Sequence, residues 1–186
     1  MLTIECPACK GSVLQKTTLE DNLPVSKCPK CEGIWVDSNE YLAWLKAERP
    51  HLSEKQVDET TGPIWDTQEL KLCPSCSRIL TRFRVVPDVE FYVERCKHCN
   101  GVWLDKDEWH LLVARNLDDK VNQFFTQPWQ SKIREEETKQ KLDKLYLAKF
   151  GAEDYTRVRE TWEWLKSNPQ QAMLLAFMQA EDPYKI

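Results

Sequence analysis

The chain has 186 residues, of which 41% are hydrophobic and 30% are charged, and this composition is typical of a soluble protein built from one to three small units. No apolar run approaches the ~20 residues that a membrane-spanning helix requires. The formal net charge of −4 argues against a generic binder of phosphate backbones, because Lys and Arg supply most of the affinity for phosphate.

All eight cysteines fall into four C-x-x-C pairs. Two residues between the cysteines allow a tight turn that aims both sulfurs at one ion, and two such turns complete a tetrahedron around Zn2+. The spacing therefore predicts two metal sites with four thiolates each, and we expect two structural zinc ions per chain. The expected ligands are Cys6, Cys9, Cys28 and Cys31 in the first site and Cys73, Cys76, Cys96 and Cys99 in the second.

Three other uses of the cysteines compete with zinc. Disulfides suit small secreted domains, but the first residues, Met-Leu-Thr-Ile-Glu-Cys, do not resemble a signal peptide. A thioredoxin-like redox pair would need a βαβ pattern beside one C-x-x-C, and none is present. Iron in a rubredoxin-like site would use the same sulfurs, so the spacing alone does not separate it from zinc. We expect a cytoplasmic location, where thiols stay reduced.

One pattern occurs twice in the chain. It reads Cys28-Pro-Lys-Cys-Glu-Gly-Ile-Trp-Val-Asp-Ser-Asn-Glu-Tyr41 and, later, Cys96-Lys-His-Cys-Asn-Gly-Val-Trp-Leu-Asp-Lys-Asp-Glu-Trp109. Residues 4–48 and 71–115 each resemble the transcription-factor-IIB-type zinc ribbon, although Lys97 and Val36 replace the usual proline and leucine. The resemblance implies a zinc-binding module and does not by itself establish a role in transcription.

The first ribbon is expected over residues 1–49. Short apolar segments on either side of residues 20–22 predict a β-hairpin. Asp37 and Glu40 form a capping pattern, and the following helix places Tyr41, Trp44 and Leu45 on one face. We expect Trp35 and Tyr41 to form a lid over the metal loops and this helix.

The second ribbon is expected over residues 71–116, after a polar linker at 50–70 that contains Gly62-Pro63. Its predicted strands cover residues 79–86 and 89–95, and Asp105 and Glu108 repeat the capping pattern. In both ribbons the glycine after the second cysteine pair, Gly33 or Gly101, is expected at a positive φ.

The second hairpin is the locally basic stretch of the chain. Arginines such as Arg82, Arg84 and Arg95 alternate with Phe91 and Tyr92, a pattern that could follow a single strand of RNA or DNA. The alternative is an exposed face whose arginines pair with glutamates or protect a sheet edge. Both interpretations remain open at this stage.

Residues 117–186 form the predicted C-terminal region, which has a helical pattern and no cysteines. A short helix near residues 118–125 is interrupted by Pro128, and longer helices follow at about 130–150, 152–167 and 169–180. We expect apolar residues such as Val158, Trp162, Met173 and Phe177 to pack inward. The predicted fold is therefore a small metal-stabilised α+β protein, with two zinc ribbons followed by an all-α region.

The sequence contains no phosphate-binding glycine loop, serine elbow or H-E-x-x-H motif, and both predicted metal sites are closed by sulfur. We therefore expect a non-enzymatic module that mediates protein–protein interaction or complex assembly, with no membrane or small-molecule ligand. Helices 142–181 are marginal as a free-standing unit, so we expect them to dock on a ribbon, on a second copy of the chain in a homo-oligomer, or on a protein partner. A nucleic-acid-binding, transcription- or translation-associated ribbon protein is the alternative, and a thiol-dependent activity is a third possibility.

Overall fold

A computed structural model of the chain describes residues 4–9, 11–48 and 69–185. Most of the predicted linker at 50–70 lies outside the described residues. The chain divides into two compact units, Met1–Glu135 and Glu136–Ile186. Mixed helices and antiparallel strands with two four-cysteine groups confirm the predicted fold class.

The first unit contains a single antiparallel sheet of six short strands. Each predicted hairpin contributes two strands, which are shorter than the sequence indicates, and each ribbon adds a third strand that the sequence analysis did not predict. The order across the sheet is β1-β2-β3-β6-β5-β4. The strands are β1 (Gln15–Thr18), β2 (Pro24–Lys27), β3 (Ile34–Val36), β4 (Thr81–Arg84), β5 (Tyr92–Arg95) and β6 (Val102–Leu104).

The two ribbons are joined edge to edge by the unpredicted strands β3 and β6. Trp35 lies opposite Trp103 in this antiparallel pair, with Ile34 opposite Leu104 on one side. All six residues of the two strands are buried. The pairing leaves neither ribbon with an open edge at its third strand, and it makes the two repeats parts of one sheet.

Side chains alternate between the two faces of this shared sheet, as they do in any strand. Ile34 and Val36 of β3 belong to a core that includes residues of helices α1 (Ser38–Glu48) and α2 (Glu108–Ala114). Trp35, between them, belongs to a second cluster that contains cysteines of both metal sites. The helices and the metal sites therefore lie against opposite faces of the sheet.

The predicted face of the first helix is confirmed, because Tyr41 and Trp44 are buried and Leu45 packs beside them. The Tyr41 hydroxyl donates a hydrogen bond of 2.8 Å to the Asp118 carbonyl, and the Trp44 indole donates one of 2.7 Å to the Asp21 carbonyl. These two bonds connect α1 to the start of the C-terminal region and to the first hairpin.

Residues 117–135 pack with the ribbons, although the sequence places them in the C-terminal region. A 3₁₀ segment, Asp118–Gln123, leads to the buried Phe124 and then to helix α3 (Gln127–Phe150). At the start of α3, the Trp129 indole donates to the Val85 carbonyl at 3.0 Å. Pro128 lies in the first turn of α3, where its missing N–H is harmless, so it begins this helix and does not interrupt one.

The second unit contains the end of α3 and the helices α4 (Ala152–Ser167) and α5 (Gln171–Gln179), close to the predicted bounds. Helix α4 packs against α5, and the Tyr155 hydroxyl donates to Asp143 of α3. Among the described residues of this unit only Leu165 is buried.

The prediction that the apolar residues of α4 and α5 pack inward is therefore wrong for most of them. Val158 and Trp162 on α4 are 58% and 51% exposed, and Met173 on α5 is 72% exposed. The three helical segments of this unit contain about fifty residues in total, which is too few to enclose a core of their own. Within the described residues, no helix is both long enough and apolar enough to span a bilayer.

Candidate metal centres

The structure brings together the four cysteines of each predicted site. In each group every sulfur lies within 4.8 Å of the other three, and one C-x-x-C pair comes from each end of a hairpin. The Sγ atoms of Cys6 and Cys31 are 3.6 Å apart, and those of Cys76 and Cys96 are 3.4 Å apart. A tetrahedral Zn2+ with bonds near 2.3 Å requires sulfur separations of about 3.8 Å. The two groups therefore fit two structural zinc ions.

Each metal loop is closed by its own backbone. In the first site the Cys28 N–H donates to the Gly33 carbonyl at 2.8 Å, and in the second the Cys96 N–H donates to the Gly101 carbonyl at 2.9 Å. The sharp turn in each loop is made by the residue before the glycine: Glu32 has a φ of 60° and Asn100 a φ of 61°. Neither glycine has a positive φ, so that prediction is wrong.

The two glycines are needed because a tryptophan of the other ribbon lies directly against them. A Cβ atom on Gly33 would lie 2.3 Å from Cζ2 of Trp103, and a Cβ on Gly101 would lie 2.2 Å from Cζ2 of Trp35. No side chain larger than hydrogen fits at such distances. The glycines thus permit a close approach between the ribbons.

The same contact shows which metal loop each tryptophan covers. Trp35 follows the first cysteine group in the sequence but lies over the loop of the second, and Trp103 lies over the loop of the first. Both rings are buried in one cluster with Cys28 and Cys96. Trp35 therefore covers a metal loop as predicted, but each ribbon provides this cover for its neighbour. Tyr41 lies in the core on the helix face of the sheet, so the prediction that it covers the metal loops is wrong.

In each site, hydrogen bonds lower the pKa of one thiol and so favour the thiolate form that binds metal. Burial raises the pKa of Cys28, but the Cys31 backbone N–H and the Ser12 hydroxyl, 3.3 Å from the sulfur, outweigh this effect and bring the pKa to about 6. Backbone N–H groups of its own loop bring the pKa of Cys96 to about 7 in the same way. Burial raises the pKa of Cys6 to about 11. A thiol with a raised pKa, such as that of Cys6, releases its proton as the metal binds.

The second ribbon contains a buried ionic cluster that the sequence pattern does not predict. The Lys71 ammonium lies 2.7 Å from Glu94 and 2.9 Å from Asp105, and all three residues are buried. Asp105 also accepts a 2.7 Å hydrogen bond from the Trp103 indole. The cluster thereby fixes the tryptophan that covers the first metal loop. In the sequence, the only sign of this cluster is a lysine two residues before a C-P-x-C pair, which is too weak to predict a buried ion pair.

The pKa shifts in this cluster follow from burial and charge. Burial lowers the pKa of Lys71, but the two carboxylates outweigh it and the net shift is upward, so the ammonium stays charged. Burial raises the pKa of Glu108 well above its ordinary value, and the neighbouring Asp105 raises it further. The raised pKa favours the protonated form of Glu108.

The predicted capping boxes are each half formed. In the first ribbon Asp37 accepts from the Asn39 and Glu40 N–H groups at 2.8 and 3.3 Å, while the Glu40 side chain pairs with Lys16. The second ribbon shows the opposite half, since Glu108 accepts from the Asp105 N–H at 2.7 Å. The carboxylate of Asp105 is already engaged by the buried lysine.

The arginines of the second hairpin contact their own unit. The guanidinium of Arg82 lies 4.0 Å from the centre of the Tyr92 ring, and that of Arg95 lies 4.6 Å from the centre of the Phe125 ring. Arg84 donates to the backbone carbonyls of Val86, Pro87 and Val89 at 3.0 to 3.3 Å. Of the two rings proposed for base stacking, Tyr92 is therefore already in contact with an arginine side chain, and Phe91 is fully buried.

The family described as transcription factor zinc-finger matches residues 5–47 and 72–115, which contain the two cysteine groups. No curated protein and no solved structure gives a significant match.

Removal of zinc should unfold the ribbons, because units of this size bury too little to fold without metal and structural zinc contributes about 10–16 kcal/mol. Native mass spectrometry should find two zinc ions per chain. A strong chelator at neutral pH should abolish the near-ultraviolet circular dichroism of the buried tryptophans. Retention of that signal after complete metal removal would contradict this prediction.

Substitution Trp35→Ala should expose the second metal site more than the first, because the ring covers the loop at Gly101. Alkylation of the zinc-loaded protein, mapped by mass spectrometry, should show Cys96 and Cys99 reacting before Cys28 and Cys31. The matched variant Trp103→Ala should reverse this order. If each variant instead exposes the cysteines of its own ribbon, the proposed crossing of the two lids is wrong.

Substitution Lys71→Met should destabilise the zinc-loaded protein by about 3–5 kcal/mol, because it leaves buried carboxylates without their cation. Denaturant unfolding measures this loss. The control is Lys106→Met, which removes an exposed ion pair of 2.7 Å with Glu32 and should leave the unfolding midpoint almost unchanged. Equal effects of the two substitutions would show that burial does not determine the contribution of Lys71.

Proposed function

Residues 5–47 and 72–115 are two tandem copies of the transcription-factor-IIB-type zinc ribbon, and from this premise we propose that the chain is a non-enzymatic module that binds other proteins. In this proposal the two zinc ions are structural, since each is surrounded by four sulfurs and no coordination position is left for a substrate. The ribbons serve as a rigid scaffold. We place the protein in the cytoplasm, where cysteines remain reduced and available to zinc.

The observation that carries the proposal is the exposed apolar surface of α4 and α5. Six exposed large apolar side chains lie on these two helices: Val158, Trp162, Trp164, Met173, Phe177 and Met178. Tryptophan, phenylalanine and methionine are the residues that protein interfaces favour, and flexible methionines adapt to varied partners. We define the α4–α5 surface by five residues that are all at least half exposed: Trp162, Trp164, Met173, Phe177 and Met178.

Charge also favours a protein partner over nucleic acid. The formal net charge is −4, and each zinc with four thiolates adds −2, so the loaded chain is near −8. Such a charge repels a phosphate backbone. The arginines of the second hairpin are engaged with Tyr92, Phe125 and backbone carbonyls of their own unit. Nucleic-acid binding therefore has less support, and it becomes one outcome of the test below.

The test is affinity capture with the full chain and a variant of the α4–α5 surface. Trp164→Ser, Met173→Ser and Met178→Ser together remove three exposed side chains, so folding of the ribbons should be preserved, and the variant should lose proteins that the wild type retains. The control combines Ile79→Ser and Leu42→Ser, which are exposed apolar residues of the ribbons, and should retain them.

Two results would overturn the proposal. The first is an identical set of captured proteins for the wild type and the α4–α5 variant. The second is the loss of all partners after nuclease treatment of the lysate, which would assign the association to nucleic acid.

A further inference from the structure

In each ribbon, the strand that carries the covering tryptophan begins directly after the metal loop. Strand β3 starts at Ile34, after the loop that a hydrogen bond from the Cys28 N–H closes, and β6 starts at Val102, after the loop that the Cys96 N–H closes. A ribbon of about 45 residues depends on metal for its order, so metal bound by its cysteines also fixes the start of this strand and the tryptophan on it.

The two tryptophans cover each other's metal loops from the centre of the shared sheet. Trp35 lies opposite Trp103 in the β3–β6 pair, and their exposed fractions are only 2% and 0%. In both rings Cζ2 and Cη2 are the atoms nearest to the glycine of the other ribbon. Order in the loop of one ribbon therefore places the ring that covers the loop of the other.

The second ribbon holds its tryptophan through both of its cysteine pairs. The Trp103 indole donates a 2.7 Å hydrogen bond to Asp105, and the other carboxylate oxygen of Asp105 accepts from the Lys71 ammonium at 2.9 Å. Lys71 lies two residues before Cys73, the first ligand of this site. The position of Trp103 thus depends on the strand that leads into one cysteine pair and on the loop that follows the other.

We propose that the two sites bind zinc cooperatively, so that metal in one ribbon raises the affinity of the other ribbon for its own metal. The ordered ribbon seats its tryptophan against the loop of its neighbour, and metal held in a covered loop is harder to remove. The effect is reciprocal, because the same contacts form whichever site fills first. The chain therefore gains and loses its two zinc ions as a pair.

The fraction of chains that hold a single zinc ion distinguishes cooperative sites from independent ones. When half of all sites are filled, two independent sites leave at least half of the chains with one ion, whatever their separate affinities. Positive coupling lowers this fraction. For two sites of equal affinity, a coupling of about tenfold reduces it to about one quarter.

The experiment is stepwise removal of zinc from the full chain by a chelator at neutral pH, with a non-thiol reductant to keep the cysteines reduced. Native mass spectrometry counts the chains that hold two, one or no zinc ions at each step. When half of the zinc has been removed from the wild type, chains with one ion should make up about a quarter of the total or less.

Substitutions Trp35→Phe and Trp103→Phe test whether the crossed tryptophans transmit the coupling. Phenylalanine keeps a ring in the core but lacks Cζ2 and Cη2, the atoms that lie against the glycine. Each variant should raise the fraction of chains with one ion towards one half or above. The matched control is Trp44→Phe, because Trp44 is also buried but packs with the core on the helix face of the sheet, and its distribution should stay as in the wild type.

Substitution Lys71→Met tests the second route to Trp103, because it removes the cation that holds Asp105 and leaves both rings unaltered. This variant should also raise the fraction of chains with one ion. An unchanged distribution would show that the ionic cluster takes no part in the coupling.

A wild type in which half or more of the chains hold one ion at half removal overturns the proposal. Wild-type distributions in both Trp35→Phe and Trp103→Phe, or an equal change in Trp44→Phe, would overturn the role assigned to the crossed tryptophans. All these outcomes concern metal loading and are separate from the capture of proteins by the α4–α5 surface.

Discussion

The two zinc ribbons hold each other in shape through a pair of tryptophan rings, each seated against a glycine of the opposite repeat. At 2.2 and 2.3 Å from an ideal Cβ position, these contacts leave room only for hydrogen. They place both rings between the two cysteine groups, in a cluster on one face of a shared sheet. A single ribbon of about 45 residues buries only a small part of its surface by itself. In the pair, the tryptophan of each ribbon covers the metal loop of the other.

The cysteine ligands could be predicted from sequence because their spacing is dictated by the geometry of a single ion. The pairing of β3 with β6 could not. Three-residue segments such as Ile34-Trp-Val36 carry no period long enough to identify a strand, and nothing local indicates which edge they meet. The glycines illustrate the same limit, because their role becomes visible only when the tryptophan beside them is known. Sequence suggests conformational freedom at Gly33, and the structure shows a requirement for space.

The same contrast between predictable and unpredictable features applies to the C-terminal helices. Their ends were predictable to within a few residues from local signals, such as Gly151, which follows α3 at a φ of 80°. The faces of these helices that are buried could not be predicted from the sequence. Periodic apolar residues show that a helix has an apolar side, but not what covers it, and for Trp162 and Met173 no other part of the described chain does. Burial depends on contacts distant in sequence, whereas helix ends depend on contacts within one turn.

The crossed tryptophan contacts also restrict how the two repeats can diverge from each other. A mutation that adds a side chain at position 101 is compatible only with a smaller residue at position 35, in the other repeat, and the same holds for positions 33 and 103. The glycine of one repeat and the tryptophan of the other therefore form matched pairs, and enlarging one member requires a compensating reduction of its partner.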